Sequence, residues 1–189
     1  MERLDGIRIG FAMTGSFCTF EKAFAQAQEL VTLGAELVPI LSEHAAGIST
    51  RFGTAAEMRK RIEDIAGRPA ILTIEDAEPI GPKNLTDIMA VVPCTSNTAA
   101  KLAHSITDTA VTMAVKSHLR GEKPVVLAIA SNDALAGSLK NIGLLANMQH
   151  YYLVPLLRDD PVKKPASLVA DFPQTVRTIR YALHKENVL

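Results

Sequence analysis

The chain has 189 residues, with 20 basic and 20 acidic side chains that cancel, and 48% of it is hydrophobic. That balance removes the electrostatic case for a nucleic-acid partner, and the hydrophobic share excludes wholesale disorder. No apolar run approaches the ~20 residues needed to cross a bilayer, and the opening stretch lacks the apolar segment and cleavage site of a secretory signal. Two cysteines, Cys18 and Cys94, make neither a disulfide framework nor a zinc site. The expectation is a cytoplasmic protein of one domain, with no metal, no membrane and no nucleic acid.

Strand and helix signals alternate along the chain. Residues 7–13 form a short apolar run. Residues 19–33 follow with Phe20, Ala23, Phe24, Ala27, Leu30 and Val31 at helical spacing and Gly34 as a stop. Residues 36–41 read as a second strand, placed at an edge or bent by Pro39. Thr54 caps a charged helix running to Ala66, which Gly67 closes. Residues 70–74 read as a small strand, and residues 76–84, with two prolines and a glycine, as loop. The buried central strand is 88–92, and a long helix is expected over 97–119. A strand over 124–130, a helix over about 134–148 and a strand over 151–156 come next. A polar connection over 159–165 then leads to a terminal helix from Asp171.

Near-continuous apolar strands separated by helices call for a parallel sheet covered on both faces. The predicted architecture is a three-layer, doubly wound parallel sheet of the Rossmann-like, flavodoxin-like kind, in a single domain. Ligands of such sheets bind outside the carboxyl ends of the strands. Two polar clusters fall there, Thr14-Gly15-Ser16 and Pro93-Cys94-Thr95-Ser96-Asn97-Thr98. Free N–H groups and the helix dipole at such junctions favour an anion, which suggests one shared crevice for a phosphorylated cofactor.

Each cluster also has a plainer explanation. The Thr14-Gly15-Ser16 turn either cradles a phosphate or is an ordinary strand-to-helix turn; it is neither a Walker loop nor a dinucleotide fingerprint. Ser42, past the second strand, either donates to the same phosphate or serves a turn. Thr95, Ser96 and Asn97 carry more weight, because three polar groups after a fully apolar strand exceed what one helix cap, expected at Ser96 or Asn97, needs. His44 is a loop histidine or a proton shuttle, Cys94 a small buried thiol or a reactive one, and Asn132-Asp133 a cap or a ring contact. Lys140, Arg158, Lys163 and Lys164 could attract a dicarboxylate or be solvated. The helix after Asn97 is apolar over most of its girth, so either the monomer or a second copy of the chain covers its far side.

Together these residues resemble a known family. Thr14-Gly15-Ser16-Phe17-Cys18-Thr19-Phe20-Glu21-Lys22-Ala23 resembles the T-G-S-I-A-A-Y-K-A opening of the flavoproteins that include cysteine decarboxylases and flavin prenyltransferases. The run from Pro93 to Thr98 resembles their P-A-S-A-N-T motif, and Lys101-Leu102-Ala103 with Ile106-Thr107-Asp108 resembles K-I-A-x-G-I-x-D. The resemblance implies an FMN site between subunits of a trimer or larger homo-oligomer. The Thr14 turn, with Gly15, Ser16 and Ser42, would hold the phosphate. Thr95, Ser96, Asn97 and Thr98 would approach the ribityl chain or ring, with Asn97 positioning the flavin or the substrate.

Departures from the pattern narrow the activity. The H-I-x-L histidine segment corresponds to Pro79-Ile80-Gly81-Pro82, and P-x-M-N-x-x-M-W gives way to Ile129-Ala130-Ser131-Asn132-Asp133-Ala134-Leu135. Both count against cysteine decarboxylation. The run from Ser131 to Gly143, the run from Tyr151 to Leu156 and the run from Lys164 to Phe172 resemble one branch of the family, the B subunits of dipicolinate synthase. That branch implies an A subunit resembling a nicotinamide-dinucleotide protein, a small dicarboxylate substrate, and synthesis of pyridine-2,6-dicarboxylate in sporulating bacteria. The same fold leaves open an FMN-dependent decarboxylase, a flavin prenyltransferase, or a non-catalytic scaffold subunit.

Overall fold

The computed structural model describes residues 3–186. Met1 and Glu2, and residues 187–189, over which the terminal helix is expected to run on, lie outside the described residues. In order come β1 (Arg8–Met13), α1 (Phe20–Thr32), β2 (Glu36–Leu41), α2 (Glu43–Gly47), α3 (Ala55–Ala66) and α4 (Ile74–Ala77). Then follow β3 (Ile88–Thr95), α5 (Ser96–Ala103), α6 (Ala110–Leu119), β4 (Val125–Ser131) and α7 (Leu139–Asn147). The chain closes with β5 (Tyr151–Leu153), β6 (Leu156–Asp160), β7 (Lys164–Ala170) and α8 (Thr175–Glu186).

The strands make one sheet in the order β2-β1-β3-β4-β7-β6, and β5 shares the outer side of β4 with β7. β1 through β5 pair in parallel, with β5 against Val125 to Leu127. The β6–β7 hairpin joins antiparallel at Ala130 and Ser131. The doubly wound sheet thus carries an antiparallel extension at its carboxyl end. Helices α1, α3 and α8 bury their apolar faces on one side with Ile88, Ala90 and Val92. Helices α5, α6 and α7 cover the other side with Met89 and Val91. Both faces of β3 are buried, which is why its sequence is apolar without alternation.

Pro39 sits on β2, an edge strand, as its missing N–H requires. Thr54 and Glu57 form a reciprocal capping box on α3, and Gly67 ends it at φ 66°. Several expectations are revised, and the strand expected over 151–156 stops at Leu153, with β6 starting at Leu156. The small strand at 70–74 is a single bridge, Ile40↔Ile71, on the outer edge of β2. The loop at 76–84 includes the end of α4, which Thr73 caps. The helix near 134–148 begins only at Leu139, and the polar connection at 159–165 is the tip of the β6–β7 hairpin.

The long helix expected over 97–119 is two helices. α5 ends in a Schellman turn: Ile106 N–H donates to the Lys101 carbonyl at 2.8 Å and Ser105 N–H to that of Leu102 at 3.2 Å. Ser105 takes the left-handed conformation, φ 57°, at the place where the family motif has glycine. Thr109 and Thr112 then cap α6 reciprocally. Apolar periodicity runs unbroken through this turn, so only the capping threonines betray it.

His118, buried on α6, holds Thr86 through Nδ1 at 2.8 Å and the Pro124 carbonyl through Nε2 at 3.0 Å. A carbonyl cannot donate, so Nε2 carries the hydrogen and Nδ1 accepts from the Thr86 hydroxyl. Burial pushes the imidazole pKa down from 6.5 to about 4. The unfolded chain therefore binds the additional proton as pH falls through this window, and stability present above the upper value is lost toward the lower. The loss is about 3 kcal/mol at 1.36 kcal/mol per pKa unit.

Two outcomes follow for stability. Between about pH 7 and about pH 4.5 the urea midpoint should fall further for the native chain than for His118→Gln; parallel falls would sink the assignment. Ser105→Gly should raise stability by about 0.5–1 kcal/mol, since glycine relieves the left-handed backbone at some entropic cost. A lower thermal midpoint for that variant would contradict the account.

Candidate functional site

Two strand ends are clasped together. Between Val91 and Cys94 the pairing passes from Val91↔Leu127 to Cys94↔Ile129, so β3 gains one residue on β4. Pro93 has no N–H for the ladder, and the strand bulges around it. The added residue reverses the alternation: Cys94 joins Met89 and Val91 on one face instead of Ile88, Ala90 and Val92 on the other. The Pro93 carbonyl accepts from Thr14 twice, from its N–H at 3.1 Å and its hydroxyl at 2.9 Å. Thr14 Oγ1 in turn accepts from Thr95 N–H at 2.9 Å. Thr14 is buried, and its hydroxyl is spent on this clasp.

Beyond the clasp the two chains diverge into turns. The Ser16 carbonyl accepts from Thr19 N–H and the Thr19 hydroxyl, while its own side chain lines a cleft. A Cβ added at Gly15 would stand 3.3 Å from His44 Cβ, so glycine keeps the space between the turn and α2 open. Across the clasp, Thr95 caps α5: its Oγ1 accepts from Thr98 N–H at 3.3 Å and donates to the Thr98 hydroxyl at 3.1 Å. The N–H groups of Ser96 and Asn97 begin that helix and have no partner within it. Ser42 follows β2, accepts from Ala45 N–H at 3.2 Å, and keeps its hydroxyl hydrogen for an acceptor.

Two clefts meet here, sharing Gly15, Thr95 and Ser96. The smaller, about 320 Å³, is lined by Ser42, His44, Asn97 and Thr98, with Thr14 at its back. Lys101 closes its rim on Asp108, at 2.8 and 2.9 Å, and this bond holds the Asp108 carboxyl below the ordinary carboxylate range. The larger, about 610 Å³, runs from Ser16 and Phe17 past the end of β4 to the β6–β7 hairpin. All eight residues singled out from the sequence, Thr14, Gly15, Ser16, Ser42, Thr95, Ser96, Asn97 and Thr98, therefore lie around one junction. The donor set (backbone N–H groups, small hydroxyls and an amide) suits a phosphate and a polar chain.

Other candidates separate. Cys94 is fully buried, and burial raises its thiol pKa to about 12, so it is inert. Of the four cations considered for a dicarboxylate, Lys164 lines the larger cleft and Arg158 a neighbouring groove. Sequence reasoning missed Lys22, Arg51 and Phe52, which also line the larger cleft. The Arg51 guanidinium lies 4.9 Å from the centre of the Phe52 ring. No local motif marks them, because what makes them a group is their position in space. Among the described residues no group of His, Cys, Asp and Glu could hold a metal, and no helix is long and apolar enough to cross a membrane.

A parallel sheet in flavodoxin-like order, with polar turns gathered at the carboxyl ends of its first and central strands, defines a doubly wound α/β protein with its crevice where such sheets hold ligands. The chain belongs to the Flavoprotein family, whose model matches residues 1–176. It is 45% identical over 183 residues to the B subunit of dipicolinate synthase from Bacillus subtilis, covering 97% of this chain and 92% of that one. The crystal structure of the dipicolinate synthase B subunit from Bacillus halodurans superposes with a TM-score of 0.88 at 37% identity, over 96% and 93% of the two chains. Burkholderia xenovorans DmrB, solved in complex with FMN, shares the fold at a TM-score of 0.64 and 22% identity, over 83% and 91%.

Thr14→Val keeps the shape of the clasp and removes its hydroxyl, leaving Thr95 N–H without its acceptor. The expected loss is about 1–3 kcal/mol in denaturant unfolding, with Thr14→Ser close to native. Equal stability of the valine and serine variants would show that the clasp contributes nothing.

Proposed function

We propose that this chain is a flavin-binding B subunit of dipicolinate synthase. Its substrate would be a small dihydro-dicarboxylate, its product the aromatic pyridine-2,6-dicarboxylate, and its partner a nicotinamide-dinucleotide-binding A subunit. The observation that carries the reading is the Thr14–Pro93–Thr95 clasp, which gathers Gly15, Ser16, Ser96 and Asn97 at one junction. Likeness to the Bacillus subtilis protein along nearly the whole chain supports the same conclusion.

Gly15 N–H and the hydroxyls of Ser16 and Ser42 would hold the FMN phosphate. Thr95, Ser96, Asn97 and Thr98 would line the ribityl chain and ring. Each helix terminus contributes about 0.3–1 kcal/mol, so affinity depends on several donors acting together. FMN would supply hydride acceptance. The chain's own part is to orient the ring through the Asn97 amide and to shield the junction from water with the Lys101–Asp108 rim. Oligomerisation, as a trimer or a multiple of trimers, completes the proposal.

Added FMN should be taken up with micromolar affinity or better, read as quenched flavin fluorescence and a raised thermal midpoint. Asn97→Ala should cut synthase activity of the reconstituted two-component complex about tenfold or more, while the variant stays folded. Protein that fails to quench FMN ends the flavin reading. Unchanged activity in Asn97→Ala makes the chain a scaffold.

A further inference from the structure

We propose that Asp133 recognises an N–H or ammonium group on the anionic ligand of the larger cleft. The inference rests on the dicarboxylate reading above and adds the atom that distinguishes a nitrogen-bearing dicarboxylate from a carbocyclic one.

Asp133 follows β4 and lines the cleft, and its carboxylate is held asymmetrically. Ser131 Oγ donates to Oδ1 at 2.7 Å and Ser138 Oγ donates to the same oxygen at 2.8 Å. Both serines are more than nine-tenths buried, whereas Asp133 is exposed. Two hydroxyls from beneath therefore fix the carboxylate and leave Oδ2 uncommitted. The loop respects that oxygen: a Cβ added at Gly137 would lie 3.3 Å from Oδ2. The serine hydroxyls hold the Asp133 carboxyl below the ordinary carboxylate range, so at neutral pH it is an anion that can only accept. A proton-abstracting base would need the opposite shift.

The rest of the cleft supplies the complementary charge. Lys164 is engaged by Asp159 at 2.7 Å, and Asp159 also lies 3.4 Å from the Ser167 hydroxyl that donates to it. Lys22 and Arg51 are the further cations on the lining. A ligand that met them with carboxylates and met Oδ2 with an N–H would satisfy both signs of charge. A carbocyclic dicarboxylate would leave the Asp133 anion facing a methylene.

The test uses two isosteres, cis-piperidine-2,6-dicarboxylate and cis-cyclohexane-1,3-dicarboxylate, titrated calorimetrically into the full chain with and without FMN. The native protein should bind the piperidine about tenfold tighter or more, the discrimination expected for a hydrogen bond to a charged group. In Asp133→Asn the amide oxygen can keep both serine bonds while NH2 replaces Oδ2, so the preference should vanish with little change in thermal midpoint. Should that variant not fold, Gly137→Ala crowds Oδ2 and should shrink the preference likewise. Equal affinities in the native protein, binding of neither compound, or a preference that survives in the folded variants overturns the inference. FMN uptake is read separately by fluorescence, so its failure strikes the flavin reading and leaves the isostere comparison standing.

Discussion

The structure turns on one buried hydroxyl. Thr14 follows the end of β1, and its donor and acceptor capacities are both used to tie that end to Pro93 and Thr95 of β3. Neutral hydrogen bonds of this kind contribute about 0.5–1.5 kcal/mol each when made and cost more when a buried partner is orphaned. The clasp matters less for its energy than for its position. It sets the distance between two turns whose backbone N–H groups point out of the same edge of the sheet, and everything described as a site is built on that separation.

The bulge at Pro93 makes the clasp possible. A regular strand would have kept Cys94 on the face of Val92 and pointed the next carbonyl elsewhere, because side chains alternate with a period of two. One added residue reverses that sense, buries the thiol on the side of the sheet that α5 covers, and leaves Thr95 as the cap of that helix. Sheet irregularity and helix start are therefore one event. The Schellman turn at Ser105 is a second: by ending α5 early it lets Asp108 fold back to Lys101 and wall the smaller cleft.

The larger cleft owes its shape to the antiparallel hairpin. Parallel pairing with β5 uses the first half of β4, and β7 takes the rest of the same edge. The hairpin thus stands over the carboxyl end of the sheet, where it brings Asp159, Lys164 and Ser167 into one cleft with the Gly15–Ser16 turn. The two carboxylates in that space differ: Asp159 is paired with Lys164, whereas Asp133 takes two serine hydroxyls on Oδ1 and keeps Oδ2 uncommitted. Such an arrangement suits a ligand that carries both signs of charge better than a simple anion.

How much of this was legible in the sequence follows from the range of the interactions. Near-continuous apolar strands and amphipathic helices, the cap at Thr54, the edge position of Pro39 and the two polar strand ends are encoded within a few residues of themselves. The family pattern reinforced the last of these. The capping threonine at position 109 was equally local, yet the apolar spacing from Leu102 through Ile106 to Ala110 reads as continuous helix across it. The meeting of the strand ends belongs to another class, because Thr14 lies 79 and 81 positions from its partners. So do the gathering of Lys22, Arg51 and Lys164 around one cleft, and the hairpin that a charged, proline-bearing stretch concealed. The sequence by itself determined which segments could be strands, helices and ligand-facing turns, since periodicity and capping are short-range chemistry. Only the tertiary structure decided which turns face each other, because that is settled by β-pairing and hydrogen bonds between residues far apart in the chain.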